Sequence, residues 1–330
     1  MAQDFKLQQT KGRFKVAGIV YGLDRDNAYS EGTSEKTGKD WRSLQFKVKT
    51  SLTNEVYVEA KGFEQDFVWP YSKKYKEAKK IPWNNRFNLP DSYHLIGVSA
   101  SLERDDKGNL VRENFTDFDG TEYLYNNMVN ESSVYISGEI EHSQYDAQDG
   151  NKVKQTKYIV KNISLTKQPI DFESEKFTEL ASFEQSFVFV EKIIDRDEGK
   201  MHITGYIINY GDKWVPAQFV VNMTEENAKL VNNINRKLKF GDLVTAVGLI
   251  RNELEEVEIQ EDDEWGGMSP DGFNKAGSRV IKEMLITNIT GHEPKKYKEE
   301  DFVESVTYQQ GGTDFLNEDY EEDDDSELPF

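Results

Sequence analysis

The chain has no cysteine among its 330 residues. Disulfides, thiolate metal sites and cysteine nucleophiles are therefore excluded. Aliphatic side chains are scarce too, since hydrophobic residues make up 36% while rings alone make up 12%. No apolar run approaches the length of a membrane span, and the opening MAQDFKLQQTKGRF lacks the apolar region of a signal peptide. A soluble, intracellular protein with no membrane contact is the expectation. Histidine is rare, and His94, His142, His202 and His292 share no ligand spacing, so each reads as a surface or satisfied core residue. No acid and base sit at an interpretable catalytic spacing. Residues 32–40, GTSEKTGKD, approach a phosphate loop, but five residues separate the glycines and Asp40 stands where a magnesium-binding Ser or Thr is required. That stretch reads as a flexible loop, and 261–264 as a solvated acidic loop rather than a cation or nuclease site. The expectation is a non-enzyme without metal or cofactor.

The net charge of −20 argues superficially against a nucleic-acid partner, but it is segregated. Residues 314–330 hold nine acids and no base, and 251–264 hold eight acids and one base. Residues 73–86 carry six bases against one acid. Local sign decides attraction over a screening length of about 8 Å. The terminal carboxylate run cannot bury enough surface to offset the entropy of ordering it, which predicts a disordered acidic tail.

Alternation predicts strands over 13–23, 41–49, 55–63, 134–141 and 157–165, and again over 187–194, 201–209, 214–223, 242–250 and 282–290. A short helix is expected around 72–80, a hairpin around Asp106, Lys107 and Gly108, and a helix over 225–238 capped by Thr224. The halves align: VYISGEI on VTAVGLI places Gly138 over Gly248, and YIVKNIS on MLITNIT places Asn162 over Asn288, which suggests internal duplication. Five strands with a helix before the fourth is the order of an OB-fold. The fold class expected is mainly β: two OB-fold-like five-stranded barrels in tandem with insertions, plus the tail. The expected divisions are 1–166, a linker at 167–182, 183–298, and a flexible linker and tail at 299–330.

On the predicted second and third strands, one face is aliphatic and the other mixes rings with cations. Single-strand binding needs cations for phosphates and exposed rings for bases. The candidates are Trp41, Arg42, Lys47, Lys49, Tyr57, Lys61 and Phe63 on the strands, with Trp69, Tyr71, Lys73, Lys74, Tyr75, Trp83 and Arg86 on the loop that follows. In the second half only Lys213 and Trp214 are comparable.

The ending Asp323, Asp324, Asp325, Ser326, Glu327, Leu328, Pro329, Phe330 resembles the C-terminal tip of single-stranded DNA-binding proteins, which runs through several Asp to an aliphatic residue, Pro and Phe. The likeness extends to FKVAGIVYGLDRD, similar to that family's first strand, and to RKLKFGDLVTAVGLI, similar to the helix end, turn and fourth strand of OB domains. The bacteriophage type is the nearest match, because this chain has two fused domains and long insertions. The resemblance implies sequence-non-specific coating of single-stranded DNA during replication, recombination and repair. It also implies a tip, Asp323, Asp324, Asp325, Glu327, Leu328, Pro329 and Phe330, that recruits a helicase, primase, polymerase or nuclease. The setting it implies is the host cytoplasm, and it leaves oligomeric state open. The alternative from another class is an acidic DNA mimic or inhibitor of a host nucleic-acid enzyme, but a mimic has no need of the basic stretch 73–86.

Overall fold

The computed structural model describes residues 6–147, 150–256 and 278–302. Where apolar and polar residues alternate, the chain forms strands that bury one face. In β1 (Gly12–Tyr21), Phe14, Val16 and Val20 are buried. After β2 (Tyr29–Thr33) come β3 (Asp40–Lys49) and β4 (Glu55–Phe63), which bury Leu44, Phe46, Val48, Val56, Val58 and Ala60 as the alternation requires. Four two-residue strands follow: β5 (Phe67–Val68), β6 (Tyr71–Ser72), β7 (Glu77–Ala78) and β8 (Ile81–Pro82). Next are β9 (Ser99–Arg104), β10 (Leu110–Asn114), α1 (Asp117–Asn127), β11 (Ser133–Asp146) and β12 (Lys152–Leu165). The second half contains β13 (Leu180–Asp195), β14 (Lys200–Ile208), β15 (Trp214–Asn222), α2 (Ala228–Lys237), β16 (Leu243–Glu256) and β17 (Ser278–Glu293). Among the described residues no helix is long and apolar enough to cross a membrane.

Pairing closes a circuit of five strands in each half. β1 pairs with β3, β3 with β4, β4 with β12, β12 with β11, and β11 with β1. β13, β14, β15, β17 and β16 repeat that circuit. Each circuit has one parallel contact, β4 with β12 and β15 with β17. Each helix precedes the fourth strand of its barrel. This is the OB-fold order, so the chain is mainly β with two OB-like barrels.

The duplication is visible in the register. Phe14 lies opposite Gly138 and Phe183 opposite Gly248, while Ser137 pairs with Asn162 and Val247 with Asn288. Both glycines sit at a bulge. A Cβ at Gly138 would overlap the carbonyl oxygen of Ile159 and the Phe14 ring; one at Gly248 would overlap that of Leu285 and the Phe183 ring. The barrels join where β1 pairs antiparallel with β13, Phe14 directly opposite Phe183. Equivalent strands thus meet across a local pseudo-two-fold, and one cluster of buried side chains runs through both barrels.

Several local expectations are corrected. Residues 72–80 form a β6–β7 hairpin, with Lys76 at φ 56° in its turn, instead of a helix. β2 and the glycine segment that follows it make an ordered hairpin with β3, closed by the Ser34 N–H donating to the Lys39 carbonyl at 2.9 Å. β13 starts at Leu180, inside the stretch read as linker, because its first residues pair with β1. Phe302, read as terminal linker, is buried against Tyr206 and Trp214. α2 starts at Ala228 with Asn227 at its N-cap, since Thr224 closes a turn by accepting the Asn227 N–H at 3.1 Å. The hairpin around Asp106, Lys107 and Gly108 is present as β9–β10.

Candidate functional site

The outer face of β3 and β4 divides at mid-strand. Toward the end covered by α1 its cations are neutralised. Arg42 belongs to the opposite row, with the buried Leu44 and Phe46, and lies under α1, 3.9 Å over the Phe118 ring and paired with Glu122 at 2.8 Å and Glu31 at 3.4 Å. Trp41 is half-buried, stands opposite Phe63 across the strands, and covers Gly32. Lys61 is half-buried, with burial lowering its pKa against the opposing pull of Glu59. Glu59 itself is buried and meets Lys157 at 2.8 Å, while Lys161 meets Asp117 at 2.9 Å. A mosaic of paired charges therefore replaces the open cationic face expected here. At the far end the face is open. Tyr57 is 46% exposed, with the Lys47 ammonium 5.0 Å from its ring. Burial works against the Lys47 charge, yet Tyr57 and Glu55 hold its pKa above the ordinary lysine value. Lys49 is half-exposed at the end of β3.

Among the described residues, the segment between β4 and β9 is the most ring-rich surface. Phe67, Trp69, Tyr71, Tyr75 and Phe87 are exposed, Trp69 by 57% and Phe87 by 67%. Lysines lie among them: the Lys80 ammonium is 3.8 Å from the Phe67 ring and 5.8 Å from Trp69, and Lys74 is 5.1 Å from Tyr75. Lys73, Lys74 and Lys76 are exposed on the β6–β7 turn. The Tyr75 ring stacks on Tyr93, whose hydroxyl donates to Glu77.

Two loop candidates are instead structural. Trp83 is only 6% exposed and packs edge-on against Phe118 in a small cluster with Val68. Arg86 donates to both carboxylate oxygens of Asp119, at 2.8 and 3.0 Å, and lies 4.2 Å from the Trp83 ring. Such a bidentate pair anchors the loop to α1 and leaves no free charge for a phosphate. In the second barrel Trp214 is packed 4.2 Å from Tyr206 and 5.9 Å from Phe302, whereas Lys213 is exposed on the turn before β15. The proposed tip, Asp323 to Phe330, and the acids 261–264 lie outside the described residues.

Other features were not singled out from the sequence. Phe67 and Phe87 are exposed among the lysines; their place in the same aromatic, basic run was the available signal. Asp195, Glu198 and His202 bring ligand atoms within 4.8 Å of one another at the β13–β14 turn. Asp195 there already accepts the Asp197 and Glu198 backbone N–H groups, both at 3.0 Å. His142 is buried, with Nδ1 3.1 Å from Thr156 Oγ1. Burial pushes its pKa down to about 4, against the Gln185 side-chain oxygen, which favours a protonated ring and raises it, so the ring is neutral at pH 7.

A search of curated proteins finds no match to this chain. Among solved structures, a deletion mutant of the single-stranded DNA binding protein from Thermus aquaticus aligns over 88% of this chain and 98% of its own, at 9% identity and a TM-score of 0.39. At that overlap the two backbones diverge too far for the likeness to say what this chain does. The family described as YorF matches residues 11–323, nearly the whole length, and the chain belongs to that family.

Proposed function

We propose that this protein binds single-stranded DNA without sequence preference and coats transient single strands during replication, recombination and repair. The observation that carries the reading is the β4–β9 segment, where five exposed rings share one surface with exposed lysines. Rings present π-faces that every base can stack on, for about 1–3 kcal/mol per base, and ammonium groups beside them meet phosphates. From Phe63 to Tyr57 the β4 face spans about 20 Å at about 3.3 Å per residue, and its open end at Tyr57 and Lys47 offers a second contact for a strand bound on the segment. The Leu328, Pro329, Phe330 tip would then recruit replication or recombination enzymes to the coated strand. An acidic DNA mimic would have no use for such a surface.

The test is anisotropy titration of labelled oligo-dT, with duplex and RNA competitors and a salt series. Salt-sensitive binding that duplex does not compete for is expected. Replacing Lys73, Lys74 and Lys80 together by Glu should lower the salt slope by about 2, since each single-strand phosphate contact contributes about 0.7. No binding by the wild type at low salt sinks the proposal and leaves the mimic.

A further inference from the structure

Between the barrels, β4, β11 and β12 face β15, β16 and β17 across a cleft of about 520 Å³. Backbone ties hold its floor: Asn54 Nδ2 donates to the Ile250 carbonyl at 2.9 Å, and Asn252 Nδ2 donates to the Glu55 carbonyl at 2.9 Å. The cleft is tied across its base and is formed by neither barrel alone.

Its lining is cationic. Lys154, Arg251 and Lys282 line it; Arg251 is paired with Glu253 at 3.8 Å, and Lys154 and Lys282 are exposed. The two carboxylates present, Glu55 and Glu283, are already matched by Lys47 at 3.5 Å and Lys200 at 2.6 Å. Its polar groups are also unmet. Gln155 Oε1 and Asn252 Oδ1 are buried without a hydrogen-bond partner among the described residues. For Asn252 the orientation is settled, because its amide nitrogen serves the Glu55 carbonyl and the oxygen must therefore accept. Both oxygens are enclosed in the wall of the cleft, and the groups open to a ligand are the cations and the ring. Tyr57, half exposed, offers a ring at the rim.

Positive charge and a ring around a volume within the ordinary range for small ligands fit a single chemistry, an anionic phosphate joined to a flat heterocycle. We propose that the inter-barrel cleft is a nucleotide-binding subsite that lodges one unit of the bound strand. Tyr57 ends the open β4 face and begins the cleft, so the strand passes from the first barrel into the cleft, and both barrels share one occluded length. This rests on the single-strand reading above.

The test is a full-length Lys154→Glu, Lys282→Glu double variant, two exposed positions whose change leaves the fold intact. Wild type and variant are titrated with dC oligomers of roughly 8 nucleotides, within the range one OB fold covers, and of roughly 30. The expected result is short-oligomer affinity within about twofold of wild type, long-oligomer affinity lower by about tenfold or more, and a shorter occluded length. A wild type that binds both oligomers, with a variant matching it in long-oligomer affinity and occluded length, overturns the subsite and spares the single-strand reading. If the wild type binds no oligomer, that reading fails and dCMP alone judges the cleft. Saturable dCMP binding that the double variant loses sustains a free-nucleotide site; absence of dCMP binding overturns it.

Discussion

Trp69 and Trp83 are fourteen residues apart in one aromatic segment, yet they should respond to truncation in opposite ways. Trp83 is 6% exposed and holds Val68 and Phe118 together. Buried Phe or Trp to Ala changes cost about 3–5 kcal/mol. The Trp83 cluster is a small satellite under a loop that can partly collapse, so Trp83→Ala should fall near the lower figure, about 3 kcal/mol. Trp69 is 57% exposed, and its truncation should leave stability within about 0.5 kcal/mol. Loss of one stacking platform of about 1–3 kcal/mol instead predicts an affinity for oligo-dT lower by about 5- to 140-fold at about 1.4 kcal/mol per decade. Urea midpoints followed by circular dichroism read the first quantity, and anisotropy of a labelled oligomer reads the second without relying on the tryptophans. Two outcomes would refute the reasoning: Trp69→Ala binding within twofold of wild type, or Trp83→Ala losing binding while its urea midpoint stays unchanged. The second would mean that Trp83 is the stacking ring despite its burial.

Two further outcomes follow from the packing. His142 titrates near 4 when folded against an ordinary 6.5, so the unfolded chain binds more protons between those values. Its contribution is complete above pH 6.5 and is lost as pH falls toward 4, by about 3 kcal/mol; stability curves of wild type and His142→Gln should converge on acidification, and parallel curves would dismiss the effect. Gly138→Ala and Gly248→Ala each drive a methyl into a neighbouring strand's carbonyl, and each should lower stability by about 1–3 kcal/mol. A urea midpoint equal to wild type for either would show that the bulge can open.

Ten barrel strands were legible because their aliphatic residues alternate, and burial of one face enforces that pattern whatever surrounds it. The duplication was legible because Gly138 and Gly248 tolerate no side chain at the bulge. α1 was not. Gly120 and its polar neighbours weaken the helical pattern, although the start is written in Thr116, whose Oγ1 accepts the Asp119 N–H at 3.0 Å. The long hairpin arms 141–146 and 152–156 escaped notice for the same reason, being mostly polar.

Local patterning, then, was enough to specify strands, their inward faces and two repeated units, since each is a property of residues close in the chain. Which rings and cations remain available depends on partners far away in it. Arg42 meets Glu122, Arg86 meets Asp119, and Trp83 lies under Phe118, all across segments joined only by folding. The cleft is the extreme case. Tyr57, Lys154, Asn252 and Lys282 share no motif, and they come together only because β1 pairs with β13 and sets one barrel against the other.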